Sequence, residues 1–369
     1  MPKNEKIRVP QFTILVILYT IGTSILISPN IACFFAKNDG WISATINLFI
    51  GLLLVIFYTK IAKTLNKKSF LEYMDDTIGT WGGKIVSFLF FIYCFILMAI
   101  LLREIGDFAT IQLYVDTPLD IIIALFILII IIGTKYGIET IARAGELLFP
   151  WFLFLFFILI ITLIPEMKTE NLFPMYAEGI KPILLSSYAS IGVPYLQMFL
   201  FLMIIPYVNA VENTGKALFI GVLSGGIIIC LITLVSILVL GSESTARLFF
   251  PSYTMAKVIS IANIIERIEA FLASIWFISI YMKIILTFFC SILFLRHIFK
   301  LKETNALVPP LGMSLLFLSI YISPSIIHYK NFVGQIWTPY SAFNGILIPL
   351  IIVAVHWFKQ RKKGRAPNG

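Results

Sequence analysis

Lys283 is the residue whose placement most demands a chemical reason. It stands in Ser279-Ile280-Tyr281-Met282-Lys283, near the middle of a long apolar run, with no acidic residue within two turns along the chain. An ionised side chain at the centre of a bilayer costs about 2.5–3.5 kcal/mol, so it needs a partner or a purpose. Other charges in apolar runs bring their partners with them. Arg103 and Asp107 lie four residues apart with Glu104 alongside, Glu139, Arg143 and Glu146 follow at i, i+4 and i+7, and Glu266, Arg267 and Glu269 form a third group. Residues four apart share a helix face, so these groups read as ion pairs holding helices together. Arg103, the deepest of them, could instead reach a pocket or its gate.

Polar groups of a second kind come from two interrupted helices. Gly22-Thr23-Ser24-Ile25-Leu26-Ile27-Ser28-Pro29 interrupts the first apolar span, and Ser190-Ile191-Gly192-Val193-Pro194 interrupts the sixth at the corresponding place. A continuous helix hides its backbone from lipid, whereas a broken one leaves N–H and C=O groups free to hold a small polar guest. N–H groups near Gly22, Thr23 and Ser24 suit a carboxylate, aided by the positive end of the following half-helix. Carbonyls ending the preceding half-helix suit an ammonium. Thr23, Ser24, Tyr188, Ser190 and Gln197 offer side-chain hydrogen bonds, Ile191 and Gly192 belong to the second break, and Ile25, Val193 and Leu102 offer an apolar wall. In transporters with two such breaks, span eight packs against the first, and a sodium ion often bridges them. Lys283, with Tyr281 beside it, supplies a fixed positive charge at a comparable place. It would substitute for that sodium or pair with a ligand carboxylate; an interhelical ion pair with Glu104 or Asp107 is the plainer alternative.

The elements that carry these residues follow from composition. Of 369 residues, 59% are hydrophobic and 13% charged, where a soluble domain carries about 25% charged. Apolar runs of roughly 20 residues recur throughout, which describes an all-α integral membrane protein forming a single transmembrane domain. Ten spans are expected at about 10–36, 40–65, 82–113, 118–135, 139–165, 183–208, 214–240, 266–297, 306–322 and 337–358. They divide into two five-helix sets, 10–165 and 182–358. Pro10 opens the first, ahead of Gly22 and Pro29, and Pro182 opens the second, ahead of Gly192 and Pro194. An odd number of spans per set inverts the second copy and brings the breaks in helices 1 and 6 face to face. Gly and Pro are also common in membrane helices for packing alone, and the coincidence of position is what favours the functional reading.

The net charge of +9 does not signal nucleic acid, because the basic residues sort by side. With the N-terminus inside, 18 of the 28 Lys and Arg fall in cytoplasmic segments and 6 in external ones; Arg103, Arg143, Arg267 and Lys283 lie within spans. Both termini are therefore expected in the cytoplasm. The basic tail 359–369 would contact anionic membrane lipids. No cleavable signal peptide is expected, since the first span is long and lacks a small-residue cleavage site. Cys33, Cys94, Cys230 and Cys290 show no metal spacing, and His297, His328 and His356 sit at span ends or in loops. No nucleophile with a base, phosphate loop or metal cluster is seen, so neither enzyme activity nor a cofactor is expected. The stretch from Phe250 through Lys257 to Ile265 reads as an amphipathic element on the outer surface, either a lid over the pocket or a plain connector.

The runs from Gly137 through Arg143 to Pro150, Asn171 to Pro174, Glu178 to Pro182, Phe201 to Val208 and Ile265 to Trp276 resemble the endospore germinant-receptor B-subunit family. The resemblance covers nearly the whole chain. It implies membership of the amino acid–polyamine–organocation superfamily and a LeuT-type fold. It also implies a nutrient sensor of the bacterial cytoplasmic membrane, specifically the spore inner membrane, acting with a larger A subunit and a lipoprotein C subunit. An amino acid or sugar would bind mid-membrane and trigger release of ions and core solutes. Many relatives carry a Gly-Glu pair just after the sixth-span break, where this chain has Leu196-Gln197, so a candidate acidic ligand-binding group is missing and the nutrient class stays open. A secondary amino acid transporter, proton-coupled or uncoupled, is the competing reading, and a scaffold subunit with a vestigial pocket is a third.

Overall fold

The computed structural model describes residues 5–65, 68–258 and 268–363. Over these the chain is nearly all helix, and the one β contact among the described residues is an isolated parallel bridge between Ile7 and Val208. Glu266 and Arg267 of the expected third ion cluster, the lid stretch from 259 to 265, and tail residues 364–369 lie outside the described residues. The helices run α1 (Val9–Ile21), α2 (Ser24–Ala36), α3 (Gly40–Thr64), α4 (Phe70–Gln112), α5 (Leu119–Lys135), α6 (Gly137–Leu163), α7 (Ile180–Ile191), α8 (Thr214–Leu240), α9 (Ser242–Arg247), α10 (Pro251–Lys257), α11 (Glu269–Phe299), α12 (Val308–Tyr321), α13 (Ile326–Asn331), α14 (Thr338–Ala342) and α15 (Ile348–Lys363).

Among the described residues, seven stretches are long and apolar enough to cross a membrane, and α1 and α12 are shorter apolar helices. The difference from ten has a plain cause: a bilayer core needs about 20 helical residues, α1, α5 and α12 hold 13, 17 and 14, and α2 counts together with α3 as the stretch Ser24–Thr64. Helix α4 is longer than a span because it bends at Gly79, where φ is 82° and ψ 159°, leaving the arm 70–78 beyond the bend. The last span also departs from a plain helix. Two π-helical turns, Phe332–Trp337 and Phe343–Leu347, flank α14.

Helix α11 is the buried axle, packed against α1, α4, α5 and α6, and 89% of its most apolar window is buried. Being apolar on every side, it has no polar face to turn outward. The N-terminal strap ties two distant elements on one face of the bundle. Ile7 exchanges backbone hydrogen bonds with Tyr207 (2.8 Å) and Asn209 (3.0 Å), while the Lys6 ammonium donates to the Pro206 carbonyl at 2.9 Å. Glu5 accepts from the Ile138 N–H at 2.7 Å, and Arg8 donates to both Glu146 oxygens at 2.8 and 2.9 Å. Glu139 and Arg143 pair with one another at 2.6 Å, exposed on the same face.

Two outcomes are expected. Burial pushes the Glu5 carboxyl above the usual range, against the pull of the Ile138 and Glu139 N–H groups. The folded state therefore holds more protons than the unfolded chain between the two carboxyl values, and stability falls as pH rises through that window. Glu5→Gln should flatten that fall, as read by equilibrium unfolding in mixed micelles across the carboxylate range. Separately, Arg103 donates to Asp107 at 2.9 Å and to the Ile320 carbonyl of α12 at 3.0 Å. Arg103→Ala leaves a buried carboxylate unpaired and should cost about 3 kcal/mol in the same assay.

Candidate functional site

Helix α1 ends because Gly22 turns out of helical geometry, with φ 34° and ψ −122°. A Cβ there would collide with Lys283 Cδ and press on the Tyr19 carbonyl, so glycine is required both by backbone angle and by space. The Gly22 carbonyl, released from the helix, accepts from the Ser279 hydroxyl at 3.1 Å. Helix α2 restarts at Ser24. Pro29 does not extend the interruption, as the full eight-residue motif had suggested, but sits inside α2. The break is thus two residues, Gly22 and Thr23. The Thr23 hydroxyl donates to Glu104, whose other oxygen accepts from the Tyr329 hydroxyl at 2.7 Å.

The second interruption leaves more carbonyls exposed. Helix α7 stops at Ile191, and the chain passes through a turn containing Pro194 into a 3-10 segment, Leu196–Met203, buried throughout. Three carbonyls that would have continued the ladder are taken by side chains from other spans. Ala189 O accepts from the Thr338 hydroxyl at 3.0 Å. Gly192 O accepts from the Trp337 indole N–H and from Gln197 Nε2, each at 3.2 Å. Val193 O accepts from the Lys283 ammonium at 2.9 Å. That ammonium also lies 5.2 Å from the centre of the Tyr19 ring, a cation–π contact worth about 2 kcal/mol when desolvated.

The two interruptions are therefore held by one buried lysine and one buried glutamate, Lys283 being fully buried and Glu104 1% exposed. Around them the Ser24 hydroxyl, Gln197 Oε1 and the Trp276 indole N–H are buried without a hydrogen-bond partner among the described residues. Each such group costs about 1–3 kcal/mol left unpaired, so a polar guest offering partners would be favoured here.

Away from the N-terminal face the site is covered. Ser252 of α10 donates to the Ile25 carbonyl at 2.6 Å, and Asn30 donates to the Ala246 and Leu248 carbonyls at 2.8 and 2.6 Å. Phe108 packs against Phe250, Tyr253 and Trp276 with ring centres 5.1, 5.0 and 4.6 Å apart. The expected surface element is thus, over Pro251–Lys257, a mostly buried cap against α2, α8 and α11. On the N-terminal side, a separate cavity of about 480 Å³, lined by none of the residues at the interruptions, lies between the arm of α4, Met203, Pro206 and Tyr207, and the α11 residues Leu293, Arg296 and His297.

The structure brings together Gly22, Thr23, Ser24, Ile25, Gly192, Val193, Gln197 and Lys283, with Ile191 ending α7 beside them. Leu102 is fully buried on α4. The remaining candidates go elsewhere. Arg103 turns to Asp107 and α12. The Ser190 hydroxyl is committed to Asn47 at 2.6 Å and to the Ser186 carbonyl at 2.7 Å. Tyr188 is 57% exposed on the surface of α7, and the Tyr281 hydroxyl abuts Gly133 of α5. Glu104, Tyr329, Trp337 and Ser279 were not foreseen as site residues. For Glu104 a signal existed: consecutive helix positions differ by about 100°, so the partner of Asp107 cannot share its face with the residue that follows it.

Glu104→Leu orphans two buried hydroxyls, those of Thr23 and Tyr329, so a loss of about 3 kcal/mol is expected in equilibrium unfolding. Glu104→Gln, which keeps an acceptor and can re-pair with a rotated hydroxyl, should lose less than half of that.

The profile of a family described as spore germination protein matches residues 6–327. Spore germination protein KB of Bacillus subtilis (strain 168) is 31% identical over 369 residues, 98% of either chain. Spore germination protein YndE of the same organism is 25% identical over 82% of this chain and 84% of its own. Among solved structures, MhsT in complex with L-phenylalanine aligns with a TM-score of 0.66 at 12% identity, over 96% of this chain and 99% of that one. Mhp1, a nucleobase-cation-symport-1 family transporter in a closed conformation with bromovinylhydantoin bound, aligns at 0.63 and 15% identity, over 93% and 80%. Both carry the LeuT-type transporter fold.

Proposed function

The chain belongs to the spore germination protein family, and on that premise we propose that it senses a small nutrient by seating it between the interruptions of spans one and six. The carrying observation is that both interruptions are held by side chains from other spans: Lys283 donates to the freed Val193 carbonyl, Ser279 to the freed Gly22 carbonyl, and the Glu104 carboxylate accepts from the Thr23 hydroxyl. A guest with an ammonium and a carboxylate, such as an amino acid, offers the same two kinds of contact and competes for them. MhsT, of the same fold, is complexed with an amino acid, L-phenylalanine, which favours that class over a sugar.

Such a guest shifts the chain between two arrangements only if it binds one more tightly. Moving a 1:99 balance to 99:1 takes about a 10⁴-fold difference. Partner subunits, a larger A subunit and a lipoprotein C subunit, would read that shift in the spore inner membrane. The excess of Lys and Arg on the N-terminal side supports both termini facing the cytoplasm. Sets 10–165 and 182–358 would be the inverted copies that set the two interruptions opposite one another. A second reading, secondary amino acid transport, is favoured by the fold of MhsT and Mhp1.

Proteoliposomes holding the purified chain and offered labelled L-amino acids separate the two. Saturable binding without accumulation is expected for a sensor, and concentrative uptake by this chain alone would replace that reading with transport. Gly22→Leu drives a side chain into Lys283 and forces an unfavourable backbone angle, so binding should fall about 100-fold or more.

A further inference from the structure

We infer that the last span, from Tyr329 to His356, carries the state of both interruptions to the N-terminal face, with Tyr329 and Trp337 as its positioning residues. This rests on the sensing reading only in naming what would disturb the interruptions.

The contacts form a continuous line along one chain segment. Tyr329 of α13 donates to Glu104, the carboxylate that holds Thr23 in the first interruption. Eight residues on, Trp337 donates to Gly192 O, and Thr338 to Ala189 O, at the end of α7. Trp337 also stacks on Tyr93 of α4, with ring centres 5.4 Å apart and planes 20° apart, while Ser341 shares a 3.0 Å hydrogen bond with the Tyr93 hydroxyl. Gly345 O accepts from Tyr58 at 2.9 Å, and a Cβ at Gly345 would collide with the Leu196 carbonyl of the 3-10 segment. The line ends where His356 of α15 packs on Tyr73, ring centres 4.9 Å apart, in the arm of α4 beyond the Gly79 bend.

Two features make this more than packing. The span takes hold of both interruptions, so disturbing either changes what the same helix must satisfy. It also contains two π-helical turns, one ending at Trp337 and one containing Gly345. A π turn is less favourable than an α turn and persists where outside contacts reward it, so it is a place where a helix can re-register when those contacts change. If the Gly192 carbonyl turns towards a guest, the Trp337 N–H loses its acceptor in a low-dielectric interior, and the helix must shift to satisfy it. The shift arrives at Tyr73 through His356.

Hydrogen exchange of the full chain in lipid nanodiscs, read on the arm 70–78, tests this without any nutrient. Lys283→Met frees the Val193 carbonyl and is expected to speed exchange of the arm by about threefold or more. Trp337→Phe keeps the stack on Tyr93 but removes the N–H, so in that background Lys283→Met should have little further effect on the arm. An arm unmoved by Lys283→Met, or an equal acceleration in both backgrounds, overturns the inference. Should either variant fail to fold, Thr23→Val and Tyr329→Phe form the equivalent pair at the other interruption, with the same two outcomes. No nutrient enters the experiment, so a chain that binds no amino acid would sink the sensing reading and leave this result standing.

Discussion

Backbone carbonyls within a membrane must be satisfied, and around the end of α7 three of them, on Ala189, Gly192 and Val193, are satisfied by side chains from other spans. Water is not at hand to take them, and an unpaired peptide group in hydrocarbon costs several kcal/mol. Thr338, Trp337 and Lys283 are therefore constrained far more tightly than their residue types alone would suggest. The geometry of the rest follows. Helix α11 must pass close enough to deliver an ammonium, and the last span must present an indole and a hydroxyl at neighbouring positions.

That arrangement explains the charges at the core. An isolated Lys283 would be intolerable here, but its ammonium has a carbonyl and an aromatic face. Glu104 in turn has two hydroxyl donors. Buried ionic groups of this kind add little net stability compared with apolar packing, and their clearest use is to fix one arrangement among several. A pair of interruptions closed by side chains can be reopened by a competing ligand, which a continuous helix cannot.

Particular residues show how far the sequence could be read. Gly22, Gly192 and Lys283 were legible because each breaks a local rule, glycine in an apolar span or a charge with no neighbour to pair with, and Thr23 and Val193 follow from being next to the glycines. Tyr188 and Ser190 were misplaced because a hydroxyl beside an interruption carries no information about which way its helix face turns. Arg103 looked like a gate by depth alone, yet a partner one turn away and a carbonyl on α12 claimed it.

Composition and the spacing of apolar runs determined by themselves that this chain is helical and membrane-embedded, and where two of its helices stop, since those properties depend on residues close together in the chain. What completes the site was decided only in three dimensions. Tyr329 reaches Glu104 across 225 positions and Trp337 reaches Gly192 across 145. Such partners are set by which helix faces which, a consequence of the packing of the whole bundle, and nothing in the local pattern around either residue records it.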